Sequence, residues 1–310
     1  MTAIDAHIAA DKASMVAFLK GKARVTGKFW LVNLLRFRPG GEEEYRRYAA
    51  ALKEPMAAVG ARPIFASYTC FTVVDGAGAV FPVDGVFIGE YPSPAALIEM
   101  NRSPEYIAAH KHRAAALADT YMYAIPPQWA SGGSMPPRQP NPSIKAPPSR
   151  KTAEQLEAIN GEPKRFVAFM GDGRFEPAGP ASAQVWMLNL LRFEPGDGKA
   201  LYQEYGARAT SHISGMKSNS AGQGGGLALL ATAVHALRGP QVDNIAIMKY
   251  PSRSDFVSYA TGQGKASDSG SKDNELVAEG FKLREAGLAA QGLVCMLPEN
   301  VYDPAAKSRL

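Results

Sequence analysis

The chain has 310 residues, 46% hydrophobic and 20% charged, with 34 Lys and Arg against 29 Asp and Glu. That length and composition suit two domains with apolar cores. No Lys/Arg cluster or basic helix face stands out, so nucleic acid is excluded as an expected partner despite the net charge of +5. Cys70 and Cys295, the two cysteines, lack metal-ligand spacing, which excludes a disulfide scaffold or zinc site and fits a reducing compartment.

The N-terminal MTAIDAHIAADK carries early acids and no apolar core, so no signal peptide is expected. The most apolar run, GGGLALLATAVHAL (224–237), is too short to span a membrane. A cytoplasmic protein without a membrane partner is the expectation. In chain order, 7–20 reads as a helix and 29–37 as a strand bounded by Pro39-Gly40-Gly41. Residues 41–60 place Tyr45, Tyr48, Leu52, Met56 and Val59 at helical spacing, with acids in the first turn. Residues 62–74 and 84–91 are β-rich, with turn signals between them. A helix follows Pro92, and a strand at 120–125 completes the order β-α-β-β-α-β, the split βαβ unit.

Residues 126–150 contain eight prolines and predict an extended connector. Beyond it the order recurs: a strand at 185–193, a helix around GKALYQEYGARA, strands near 227–237 and 242–250, helices after Pro251, and a strand at 292–297. FWLVNLLRFRPG (29–40) and VWMLNLLRFEPG (185–196) agree at eight of twelve positions. GEYPSPAAL answers MKYPSRSDF, and HRAAALAD answers LREAGLAA. The chain therefore divides into a first repeat (1–128), a Pro-rich linker (129–150) and a second repeat (151–310). Each split βαβ sheet has one face bare of helices, and two such faces can cover one another. The fold class is α+β, with two ferredoxin-like βαββαβ repeats forming a pseudo-dimer within one chain. A further homodimer stays possible.

N-L-L-R-F-x-P-G, the Y-P-S before the second helix, and RSPEYIAAHKHR resemble the dimeric α+β barrel superfamily, in particular a tandem version of the domain of unknown function 1330 family. The resemblance implies an intramolecular dimeric α+β barrel. SPEYIAAHKHR is also similar to the helix that carries the haem-ligating His in haem-degrading monooxygenases of that superfamily. There His110 answers the ligating His, Asn33 a first-strand Asn, and Tyr91 stands near a Trp position.

Strand alternation puts Phe29, Leu31, Asn33, Leu35 and Phe37 on one face of 29–37, and Trp30, Val32, Leu34 and Arg36 on the other. Asn33, repeated as Asn189, is a polar group among apolar ones, either lining a pocket or bonding the backbone. Arg36 and Arg192 sit near strand ends, either to bind a substrate carboxylate or to form an ion pair at the sheet–sheet rim. Tyr48 and Tyr205, with Tyr45 and Tyr202, lie on the inner face of the first helix of each half, and Tyr91 and Tyr250 end the third strands. His110 falls in the helical stripe Leu97, Met100, Ile107, His110, Ala114 and Leu117, whereas the answering position holds Phe281. An inward His is a core histidine, an acid/base or a metal ligand.

GQGGG (222–226) lacks a phosphate-loop signature and reads as a lead into a strand, and 261–274 reads as a surface loop. There is no G-x-S-x-G, H-E-x-x-H, Rossmann fingerprint or paired-carboxylate motif, and no metal is expected. The expected function is a cofactor-independent enzyme acting on a small apolar, aromatic or lactone-like metabolite by acid/base chemistry. His110, Asn33 and Tyr91 would be catalytic, and Tyr48, Arg36, Asn189, Tyr205, Tyr250 and Arg192 would bind substrate. The alternatives are a haem-binding protein or haem monooxygenase using His110, and a non-catalytic small-molecule-binding protein.

Overall fold

The computed structural model describes residues 9–21, 25, 27–76, 80–127, 139–175, 184–218, 222–261 and 272–301. In the first half α1 (Lys12–Leu19) precedes β1 (Phe29–Phe37), α2 (Gly41–Ala51), α3 (Lys53–Ala58), β2 (Arg62–Ser67) and β3 (Thr69–Asp75). β4 (Gly85–Tyr91), α4 (Pro94–Arg102), α5 (Pro104–Ala116) and β5 (Leu117–Ile125) complete it. In the second half α6 (Ala153–Asn160) and α7 (Pro163–Met170) precede β6 (Val185–Phe193), α8 (Gly198–Ser214), β7 (Gly226–Ala231) and β8 (His235–Arg238). β9 (Asn244–Tyr250), α9 (Arg253–Ala260), α10 (Lys272–Gly287), β10 (Leu288–Leu297) and β11 (Asn300–Val301) follow.

Two antiparallel sheets result, with strand orders β11-β2-β4-β1-β5-β8 and β3-β10-β6-β9-β7. β5-β1-β4-β2 and β10-β6-β9-β7 are the same ferredoxin-like order written twice. The register repeats too: Asn33 pairs with Phe87 and Met122, and Asn189 with Ala246 and Leu293. Trp30, Val32 and Leu34 pack in one core with Trp186, Leu188 and Leu190, so the two bare sheet faces cover each other. Phe29, Leu31 and Leu35 face the helices of the first half instead. The alternation read from 29–37 thus separates two cores, and the fold is a dimeric α+β barrel closed within one chain.

The β-rich stretch 62–74 is not one strand of one sheet. It breaks at Tyr68: β2 stays beside β4, while β3 joins β10 in the other sheet. The second half does the same, with β7 beside β9 and β8 beside β5. Each half lends the end of its second strand to the other's sheet, which gives the unpaired edge groups partners.

The helices also break where the covalent chemistry requires. The helix read over 41–60 divides at Leu52 because Pro55 has no N–H and crowds the preceding turn. The helix after Pro92 divides at Ser103, which is extended before Pro104 and accepts from Tyr106 N at 3.1 Å to cap α5. The shared Pro-Gly after the first strands has a steric reason. Gly40 (φ +73°) and Gly196 (φ +80°) take the left-handed turn, and a Cβ on Gly41 would lie 2.1 Å from Ala116 O.

α6 and α7 were not foreseen. α7 repeats α1, with Met15-Val16-Ala17-Phe18-Leu19 answered by Phe166-Val167-Ala168-Phe169-Met170. Phe18 packs on Phe29 and His235, and Phe169 on Phe71, so each helix sits on the strand lent by the other half. Residues 139–150 carry no helix or strand. They are anchored to α8 by the buried Glu204–Arg208 pair, which accepts from Asn141 N and donates to Asn141 O and Ile144 O. Most of 261–274 lies outside the described residues. No helix among them is long and apolar enough to cross a membrane.

Candidate functional site

A cavity of about 730 Å³ lies between the first sheet and α2, α4 and α5. β1 supplies Leu31 and Asn33, α2 supplies Tyr45 and Tyr48, and the end of β4 supplies Tyr91. α5 presents Tyr106, His110, Arg113 and Ala114, spaced so that they share one helix face. Met15 of α1 and Leu237 of β8 close one side. α1 is held there by Asp11 N donating to Leu237 O (2.7 Å) and by His235 Nε2 donating to Ser14 O (2.9 Å). The first cavity is therefore completed by a strand of the second half.

Most of the wall is apolar or aromatic. Tyr45 and Tyr48 meet edge to face at 5.3 Å, Tyr106 lies 6.4 Å from Tyr48, and the His110 ring lies 5.8 Å from Tyr106. Tyr91 stacks on Phe29, and its hydroxyl lies 3.9 Å from Met100 Sδ. Burial pushes the Tyr45, Tyr48 and Tyr91 phenols well above their ordinary range, and the nearby Arg113 guanidinium offsets only part of this. Their hydroxyls stay protonated and can act as hydrogen-bond donors.

Asn33 is 8% exposed, and its orientation is set by the backbone. Nδ2 donates to Leu31 O (3.3 Å) and Phe87 O (3.4 Å), which leaves Oδ1 without a partner among the described residues. His110 is half-buried. Arg113 is buried on the same helix face, with Met122 Sδ 3.9 Å from Nη2.

His110, Asn33, Tyr91 and Tyr48 thus line one cavity. The other candidates are placed elsewhere. Arg36 and Arg192 are exposed at the ends of their strands and line neither this cavity nor its counterpart, because the next inward position belongs to Phe37 or Phe193. Asn189, Tyr205 and Tyr250 line the counterpart in the second half, whose volume is only about 30 Å³, the room of about one water. Ile107, read as part of the inward stripe, is 62% exposed at the rim.

The second cavity is filled by larger side chains at equivalent positions. Phe166 stands for Met15, Phe256 for Leu97, Tyr259 for Met100, Phe281 for His110 and Gln291 for Thr120. Gln291 also satisfies the polar groups there. Its Nε2 donates to Asn189 Oδ1 (2.8 Å), and its Oε1 accepts from Arg284 Nε (3.0 Å). Arg284 is the counterpart of Arg113. Arg113 was overlooked in the sequence, although HRAAAL and LREAGL place an arginine at the same point of both repeats.

The lining offers a buried guanidinium, an imidazole, an amide carbonyl and protonated phenols around an apolar space. That set can orient an oxygen-bearing ligand and exchange a proton with it. No group of three or more His, Cys, Asp or Glu suited to a metal occurs among the described residues.

Residues 29–125 match the family described as Domain of unknown function (DUF1330). No curated protein is a significant match. Among solved structures, a protein of unknown function from Rhodopseudomonas palustris is 29% identical over 39% of this chain and 97% of its own, with a TM-score of 0.32. An anthrone oxidase-like protein is 8% identical over 90% of this chain and 94% of its own, with a TM-score of 0.45. A mutant chlorite dismutase from Candidatus Nitrospira defluvii is 11% identical over 83% and 96%, with a TM-score of 0.36. The first repeat thus resembles the DUF1330 family, within a chain that has the fold of a dimeric α+β barrel closed on itself.

Proposed function

We propose that the first-half cavity binds a small, largely apolar or aromatic metabolite bearing oxygen, and that the protein is a cofactor-independent enzyme acting on it by acid/base chemistry. The observation that carries this reading is the contrast between the halves. One fold, built twice, encloses about 730 Å³ where it has His110 and about 30 Å³ where it has Phe281. A void of the first size forgoes packing that the second half shows to be attainable, a loss expected at a binding site.

The simplest balanced step is isomerisation. In a β,γ-unsaturated carbonyl compound His110 takes the proton from the α-carbon, Arg113 holds the dienolate oxygen that gains negative charge, and the same proton returns to the γ-carbon as the C=C moves to the α,β position. Asn33 and the Tyr91 hydroxyl fix the substrate's polar end, and Tyr45 and Tyr48 wall the ring.

2-Tetralone, an aromatic ketone with exchangeable protons beside its carbonyl, serves as the probe. Ligand-observed NMR in deuterated buffer is expected to show binding and exchange faster than in buffer alone. Met100→Tyr copies the second half's filling and is expected to abolish binding. His110→Phe is expected to keep the fold and the binding while exchange falls to the background rate. Undiminished exchange in folded His110→Phe makes His110 a core histidine and overturns its assigned role.

One observation favours a second reading, haem binding. His110, the one imidazole of the cavity lining among the described residues, adjoins Lys111 and Arg113, which suit the carboxylates of a haem. A bound haem would be held by His110 and by the cationic groups of Lys111 and Arg113, and would supply redox chemistry. Titration with hemin that yields a Soret band in the wild type but not in His110→Phe would select this reading.

A further inference from the structure

In the second half Gln291 joins the strand asparagine to the helix arginine, and the first half has Thr120 at that position. Asn189 and Asn33 hold the same orientation, because in both the Nδ2 faces two backbone carbonyls: Met187 and Ala246 for one, Leu31 and Phe87 for the other. Their Oδ1 atoms therefore point the same way. In the second half a planar carboxamide, the end of Gln291, spans from Asn189 Oδ1 to the guanidinium of Arg284. It donates through nitrogen at 2.8 Å and accepts through oxygen at 3.0 Å from Nε and 2.5 Å from Nη2. An arginine has no acceptor and an asparagine so held offers only an oxygen, so the order of donor and acceptor is dictated. In the first half Thr120 stands where Gln291 would be. Its short side chain turns away, donating to Leu34 O at 2.8 Å. Asn33 and Arg113 then line an open cavity.

We propose that the ligand of this cavity carries a carboxamide or lactam, an N–H beside a C=O on one planar group. The N–H meets Asn33 Oδ1 and the C=O meets the Arg113 guanidinium, in the place that the Gln291 side chain takes in the second half. The rest of the ligand, an aromatic or aliphatic body, lies among Tyr45, Tyr48 and Tyr91. This rests on the reading of the cavity as a small-molecule site and names the ligand class for it. A ketone offers only the acceptor, and a carboxylate sets a negative oxygen against the Asn33 carbonyl. A hydrocarbon offers neither group. A site with a placed acceptor discriminates strongly against ligands that leave it unmatched.

The test compares benzamide, acetophenone, benzoate and toluene by ligand-observed NMR on the full chain, with Thr120→Gln and Thr120→Val as variants. Benzamide is expected to bind at least about tenfold more tightly than the other three. Thr120→Gln, which supplies the second half's carboxamide from within, is expected to remove that preference. Thr120→Val, which loses the hydroxyl but adds no amide, is expected to keep it. If toluene and acetophenone bind as tightly as benzamide, or benzoate binds most tightly, the carboxamide assignment is wrong while the cavity remains a ligand site. If Thr120→Gln is folded by its circular dichroism yet keeps the full preference, the assignment is also wrong. If none of the four binds the wild type, both the assignment and the small-molecule reading fail.

Discussion

Replacing each strand asparagine by leucine separates an amide that serves the fold from one that serves a ligand. Asn189→Leu removes the bond to Met187 O at 2.9 Å and leaves Gln291 Nε2, on a residue only 3% exposed, without its acceptor. A buried donor left unmade costs about 1–3 kcal/mol, and the leucine's apolar contacts offset part of that, so a net loss of about 2 kcal/mol is expected. Asn33→Leu gives up two contacts of 3.3 and 3.4 Å, both at the long end of the range, and an Oδ1 without a partner among the described residues. The added leucine packs beside Leu31 and Phe87, so the change is neutral or a gain of up to about 1 kcal/mol. The exchanged strands β3 and β8 link the halves, so urea unfolding of the full chain reports on both variants through the same transition. The two should differ by about 2–3 kcal/mol, with Asn33→Leu the more stable and unable to hold a polar ligand. Equal destabilisation would show that Asn33 is a structural amide like its counterpart, and the argument from orientation would fail.

Other expectations follow from the rest of the molecule. Burial pushes the Cys70 thiol up to about 12 and the Cys295 thiol well above its ordinary value of 9.0. At alkaline pH the unfolded chain therefore holds fewer protons than the native one, and stability falls as the pH rises past about 9, by about 1.4 kcal/mol per pH unit per thiol. Urea midpoints measured on both sides of that pH check the sign, and a midpoint that stays level refutes it. In the native protein neither thiol should react with a disulfide reagent on the time scale of mixing, and prompt colour would contradict their burial. Phe18→Ala removes the ring that seats α1 on Phe29 and His235. An eight-residue helix has little stability alone, so limited proteolysis should cut within 12–21 while the barrel persists. Cleavage no faster than in the wild type would mean that the backbone bonds to β8 suffice.

Much of the scaffold was legible because it is written in local periods. Alternation over 29–37 assigns Leu31 and Asn33 to one core and Trp30 and Val32 to another, and the structure keeps that assignment. The helical spacing of His110 places its imidazole on the cavity side, and the repeat identifies Phe281 as its counterpart. Strand exchange was not legible. The run 62–74 reads as one β-stretch, and the sheet edge each part joins depends on the partner across the barrel rather than on its own residues. The site itself was half legible. Asn33 and Tyr91 stand out as polar groups in apolar surroundings. Arg113 does not, because an arginine on an amphipathic helix reads as solvated until tertiary packing buries it. Nor can a sequence show that one repeat is hollow and the other full. That difference is a sum over Met15, Leu97, Met100, His110 and Thr120 against Phe166, Phe256, Tyr259, Phe281 and Gln291. These residues are spread along each repeat, and only the fold brings Met15, Leu97, Met100 and His110 around one space and Phe166, Phe256, Tyr259, Phe281 and Gln291 around the other.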